Sequence, residues 1–271
     1  MNDQPKYADG RRPKPRRTNS RHEKLRSALF LLTLLALPCS PGAVVFDSSR
    51  IDPFALQNEQ ERNELAEARD LNNQALRYQK QARTAEAEAL YNRSLEIVAK
   101  ALGQDHPAVA AGLGNLASLY QEQGRFLEAE ALYLRSLAIL KKALDTEGLP
   151  VALELNKLAM LYAKIGRGEE AEALFQRSLT ALEPRLGPTN LTVAAVLSNL
   201  ASVYGERGRY REAEPPYKRS LAIIERAVGP GSPPATKIRR ALNELHRKQG
   251  RLGEPDAPSA STFRDPNGAP P

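Results

Sequence analysis

Tryptophan is absent from this 271-residue chain, cysteine occurs once, methionine twice and histidine three times. The single cysteine, Cys39, excludes an intrachain disulfide. His22, His106 and His246 stand far apart, no two at metal-ligand spacing, and Cys39 is remote from all three. No metal site, cofactor or Cys–His nucleophile pair is therefore expected. Aromatic residues make up 6% of the chain, and no aromatic-rich catalytic core is evident. Glycine-rich phosphate loops are lacking too. The net charge of +7 does not signal nucleic acid. Residues 1–26 hold nine Lys/Arg against three Asp/Glu, and the remainder is nearly balanced at 30 against 29. A nucleic-acid footprint needs a basic stripe on the folded part, so no such partner is expected.

What is present is a period. Ala87-Glu88-Ala89-Leu90-Tyr91 returns as Ala129-Glu130-Ala131-Leu132-Tyr133 and as Ala171-Glu172-Ala173-Leu174-Phe175. A degraded copy follows at Ala213-Glu214-Pro215-Pro216-Tyr217, and every step is 42 residues. A fixed period of this size marks an array of identical supersecondary units, whose function lies in an extended surface. Val109, Leu113, Leu116, Ala117 and Tyr120 lie on one face of a first helix. Gly124, Gly166, Gly208 and Gly250 stand where a helix end takes positive φ. A second helix is predicted from about Leu127 to Leu144, with a stripe of Ala129, Leu132, Tyr133, Ser136, Leu137 and Leu140. The short turn makes the two an antiparallel hairpin.

Small residues recur at fixed places: Ala75, Ala117, Ala159 and Ala201 in the first helices, Ala87, Ala129, Ala171 and Ala213 in the second. They allow close backbone approach, and a bulky residue there costs roughly 1–3 kcal/mol. Tyr78, Tyr120, Tyr162 and Tyr204 fill the remaining volume, and His246 occupies the same column. Ser94, Ser136, Ser178 and Ser220 recur once per unit and read as small packing residues rather than nucleophiles. The Glu128 and Glu130 carboxylates, two residues apart on a helix, face different directions and cannot form an acid–base pair. They read as solvating groups. No catalytic constellation emerges, so an enzyme is not expected.

Residues 113–133 follow the order Leu-x-x-Leu-Ala-x-x-Tyr-x-x-x-Gly-Arg-x-x-Glu-Ala-Glu-x-x-Tyr, which resembles a tetratricopeptide repeat. The ordinary unit has about 34 residues. The 42-residue spacing, with Leu102-Gly103-Gln104-Asp105-His106-Pro107 as connector, resembles the kinesin light chain variant. The resemblance implies an all-α, right-handed superhelical solenoid. Its array is expected over 69–251, as hairpins 69–106, 107–148, 149–190 and 191–232 plus a capping helix 233–251. The first unit departs from the pattern at Ala82, where the others have glycine. Pro216, in place of Leu132 or Leu174, predicts local fraying in the fourth hairpin.

The resemblance further implies that the first helices line a concave groove. Two columns would face it: Asn72 and Asn73, Gly114 and Asn115, Asn156 and Lys157, Ser198 and Asn199. Asparagine is a poor helix former, so its recurrence calls for a reason. An amide offers both donor and acceptor to an extended peptide backbone. By match of position, Asn73, Asn115 and Asn199 are the leading candidates. Lys157 would add positive charge favouring acidic ligands, with Arg69 and Lys80 extending that bias. The competing reading is that the recurring asparagines only stabilise hairpin contacts.

Nine of the first 26 residues are basic, and the apolar run Ala28–Leu37 follows, then Pro38-Cys39-Ser40-Pro41-Gly42-Ala43. Residues 1–46 thus have the layout of a secretory signal, whose apolar core Ala28–Leu37 is too short to span a bilayer alone. Counting on to Phe46 gives 19 residues and an uncleaved membrane anchor as the alternative. Neither Arg11-Arg12 nor Arg16-Arg17 has the apolar residues a twin-arginine signal requires, and Pro38 stands where a lipoprotein acceptor takes a small residue. The expected location is periplasmic, free or membrane-anchored, as in a bacterial envelope protein, with the cytoplasm as the alternative. Residues 47–68 are expected to be a linker and capping helix. The tail 252–271 is rich in Pro, Ser, Gly and Ala and is expected to lack a core. The function expected is a non-catalytic protein–protein interaction module binding an extended peptide in its groove. The alternative is an envelope scaffold acting by self-association or through its convex surface.

Overall fold

The computed structural model describes residues 59–144 and 148–250. Among them are nine α-helices: α1 (Glu59–Lys80), α2 (Thr84–Leu102), α3 (Pro107–Glu122), α4 (Phe126–Leu144), α5 (Leu149–Lys164), α6 (Gly168–Leu186), α7 (Leu191–Glu206), α8 (Tyr210–Val228) and α9 (Pro233–Lys248). Odd-numbered helices are the first of each unit and even-numbered helices the second. Each hairpin packs on the next, and the first helices α3, α5 and α7 also touch one another. They therefore form the inner wall of an all-α, right-handed superhelical solenoid. The apolar run Ala28–Leu37 and the tail 252–271 lie outside the described residues. Among the described residues no helix is long and apolar enough to cross a membrane.

The turn inside each hairpin is chemically specified. After α3, Gly124 takes φ +77, its N–H donates to the Gln121 carbonyl, and the Arg125 N–H donates to the Tyr120 carbonyl at 2.9 Å. This six-to-one closure is the Schellman motif. It repeats at Gly166–Arg167 and Gly208–Arg209. In the first hairpin Ala82 is forced into the same left-handed conformation, φ +58. All eight alanines of the two small-residue columns are fully buried. The hydroxyls of Ser94, Ser136, Ser178 and Ser220 donate across each hairpin to the carbonyls of Ala68, Ala110, Ala152 and Ala194, at 2.6 to 2.9 Å. The recurring serine is thus a hydrogen-bonded pin as well as a small residue.

Hairpins are joined by a column of glutamates. The Tyr120 hydroxyl and Arg125 Nη1 both donate to Glu88 of the preceding unit, each at 2.8 Å. Tyr162 and Arg167 do the same to Glu130 at 2.7 Å. Each arginine also stacks on its own tyrosine, 3.7 Å and 3.8 Å from the ring centroids. In the next seam Arg209 reaches Glu172, while the Tyr204 hydroxyl accepts from Gln176. His246, in the tyrosine column, lies 3.4 Å from Glu214. The glutamates read as solvating groups are therefore split in role. Glu128 pairs locally with Arg125, while Glu130 binds the following hairpin.

Two sequence expectations change in detail. The helix before the array and the first helix of the array are one continuous element, α1, which already buries Leu65 and Ala68. The boundary expected at 68/69 falls within it. The fraying expected at Pro216 is not seen: α8 runs unbroken with Pro215 and Pro216 inside it. The carbonyls that lose a donor, those of Arg211 and Glu212, belong to exposed residues. His106 accepts from the Ala108 N–H at 3.1 Å and caps α3.

Single substitutions test both the turns and the seams. A left-handed alanine costs about 1–2 kcal/mol, partly offset in Ala82→Gly by the greater freedom of glycine when unfolded. Ala82→Gly should therefore raise stability by about 0.5–1 kcal/mol, seen as a thermal midpoint a few degrees higher by circular dichroism. The Glu130 carboxyl sits below its usual pKa because the Tyr162 hydroxyl donates to it; burial opposes this and Arg167 adds to it. A depressed carboxyl pKa stabilises above the unfolded-state value of about 4.3, and that stability is lost as pH falls through the folded-state value. Glu130→Gln should cost about 1–2 kcal/mol at neutral pH and flatten the acid limb of a stability-against-pH curve.

Candidate peptide groove

The candidate residues divide into those facing one another and those left open. Asn115 Nδ2 on α3 donates to Asn72 Oδ1 on α1 at 3.0 Å, and both residues are only 2% exposed. The bond joins positions 43 residues apart, one step beyond the repeat, and locks two first helices together. Here the recurring asparagine has an internal partner. Asn72 Nδ2 is buried with no hydrogen-bond partner.

Lys157 is not the free charge that its position suggested. It is buried, with Nζ 3.1 Å from Glu154 Oε2 one turn earlier on α5. The pair is in contact but off hydrogen-bond alignment, and Glu154 Oε1 has no hydrogen-bond partner. Gly114 of α3 makes the space: a Cβ there would sit 2.6 Å from Glu154 Oε1 and 3.0 Å from Lys157 Nζ. The sequence reading overlooked Glu154. Its register with Gly112, Val196 and Ile238 was the available signal, because that column faces the packing between units.

Asn73 and Asn199 are half-buried and stay in the wall. Asn156 is half-buried too, its Nδ2 3.9 Å from Met160 Sδ and its Oδ1 buried without a hydrogen-bond partner. Arg69 pairs with Asp70 at 3.2 Å. Lys80 is exposed at the end of α1. The open set is therefore Asn73, Asn199 and Lys80, while Asn72, Asn115, Asn156 and Lys157 are turned to contacts between or within the helices. Among the described residues no group of three or more His, Cys, Asp or Glu could hold a metal.

With this geometry in view, the comparisons with known proteins are consistent. The tetratricopeptide repeat family matches residues 71–142, 151–226 and 192–254. That is more than half of the chain, which therefore belongs to the tetratricopeptide repeat family. Its units are of the kinesin light chain type. One similar solved structure is a Podosopora anserina kinesin light chain protein with nearly identical TPR-like repeats. It has 26% identity and a TM-score of 0.59, covering 68% of this chain and 87% of that one. Another is BtubC (BKLC) from P. vanneervenii, at 22% identity and a TM-score of 0.63, with 86% of each chain covered. A third is a Rap protein complexed with Competence and Sporulation Factor, at 17% identity and a TM-score of 0.59, covering 86% of this chain and 73% of that one. The last two share the fold. A search of the curated proteins gives no match. Tetratricopeptide arrays are protein–protein interaction modules and are generally non-catalytic.

The buried pair makes a sharp prediction. Removing one partner of a buried ion pair costs about 3–5 kcal/mol, whereas replacing both with well-packed residues is often neutral. The fourth unit carries Val196 and Asn199 at the equivalent positions. Lys157→Asn alone should therefore destabilise the array by about 3 kcal/mol. Glu154→Val together with Lys157→Asn should recover most of that loss in urea unfolding.

Proposed function

We propose that the inner wall binds an extended segment of a partner protein. The observation that carries this reading is the pair of half-buried amides, Asn73 and Asn199, in the same column of two first helices. Each stands mid-helix, where asparagine is unfavourable, and the internal bond that accounts for Asn115 does not involve them. A primary amide can donate and accept at once, which suits a peptide backbone crossing the helices. The module would gather several weak contacts along its length rather than one deep pocket.

The experiment is an array of immobilised peptides probed with the full chain, followed by solution affinities for those that bind. Asn73→Ala with Asn199→Ala should leave the thermal midpoint close to that of the parent and weaken the selected peptides about tenfold or more. Unchanged affinities in the folded double variant would remove the groove as the binding surface.

A further inference from the structure

Every first helix ends on a charged residue, and the sign alternates. Lys80 closes α1, Glu122 α3, Lys164 α5, Glu206 α7 and Lys248 α9. The step is 42 residues throughout, and all five are exposed. Helix energetics accounts for only part of this. A helix C-terminus favours cations and disfavours carboxylates, so Glu122 and Glu206 stand against the dipole. Nor do neighbouring rungs neutralise one another. Lys164 Nζ donates to the Gln121 backbone carbonyl at 3.1 Å and lies over the Phe126 ring. Glu206 accepts from Ser202 one turn back, and Lys248 comes within 4.0 Å of Glu244 on its own helix. Among the described residues no ion pair joins one rung to the next.

The rungs share a face with the groove columns. Lys80, Glu122, Lys164 and Glu206 each follow Asn73, Asn115, Lys157 and Asn199 by seven residues. Seven residues is close to two full turns, about 10.5 Å along the axis. Helical side chains lean toward the helix N-terminus, and Lys164 reaches sideways to the end of α3. The first helices α3, α5 and α7 touch in turn, an amide bond joins α1 to α3, and packed helices lie about 8–10 Å apart. A polyproline II segment has three residues per turn and rises about 3.1 Å per residue, presenting the same face about every 9.3 Å. A β-strand would do so about every 6.6 Å or 13 Å. Rungs set one packed helix apart suit the former.

We propose that these five residues form a charge-reading rail for a partner segment in polyproline II conformation with charges of alternating sign at every third position, Glu-x-x-Lys-x-x-Glu. The inference rests on the groove reading above and adds the charge pattern of the ligand. A uniformly acidic or basic segment meets a like charge at every second rung, which selects against it.

The test uses the full chain and two fluorescent synthetic peptides of about 13 residues, enough to pass five rungs at three residues each. Both contain the same prolines, glutamates and lysines. In one the signs alternate at every third residue; in the other the acidic residues fill one half and the basic residues the other. The alternating peptide should bind about tenfold more tightly at low salt. That difference should close near 1 M salt, where the Debye length falls to about 3 Å. Glu122→Lys with Glu206→Lys makes the rail uniformly basic and suits both helix ends, so it should fold. It should lose the preference and favour an all-glutamate peptide of the same length. Equal binding of the two peptides by the parent overturns the rail and leaves the groove reading standing. Binding of neither also overturns the rail, and the peptide array then decides the groove reading by itself. A salt-sensitive dimer in light scattering, lost in the double variant and unaccompanied by any peptide preference, assigns the rail to a second copy and overturns the proposal.

Discussion

One guanidinium per unit holds this array together. The residue after the turn glycine, Arg125 or Arg167, is placed by the Schellman closure directly over the tyrosine that ends the preceding helix. From there it bonds a glutamate on its own second helix and a glutamate on the preceding hairpin. Exposed ion pairs contribute little on their own, about 0–1 kcal/mol. This arginine differs because it is stacked and shares a partly buried carboxylate with a tyrosine hydroxyl. A solenoid has no contacts beyond nearest neighbours, so its stability is a sum of unit and seam terms. The arginine acts in both, and the seam it fixes determines how the first helices meet along the inner wall.

Much of this was legible in the sequence because the repeat supplies its own alignment. The 42-residue step fixed the hairpins, the alanine columns and the turn glycines, and the helix ends fall within a few residues of expectation. Several of the roles that escaped depend on a residue of another unit. Glu130 looked like solvent-facing charge because its own helix offers it nothing; its partners are 32 and 37 residues ahead. Asn115 matched a groove position, yet its bond runs 43 residues back, across a diagonal that a column-by-column reading does not compare. Lys157 looked free because Gly114, which shelters it, belongs to the previous unit. A proline pair inside α8 looks disruptive by propensity alone, yet the carbonyls it orphans belong to exposed residues.

The buried polar groups divide the inner wall. Between α1 and α3 an amide–amide bond joins the helices, and between α3 and α5 an ion pair fills the space left by Gly114. Further along, the column of Glu154 is occupied by Val196 and Ile238, both buried. An apolar seam tolerates small slides, because one methyl contact replaces another at little cost. A seam with buried amides and charges does not, because a slip leaves a desolvated group without its partner. The first three units are therefore held in a fixed register, while the seams toward α9 are held by packing and by arginine–glutamate contacts at the rim. Adjustment of the wall to a bound segment would then concentrate in the last two seams, where the column of Glu154 is apolar.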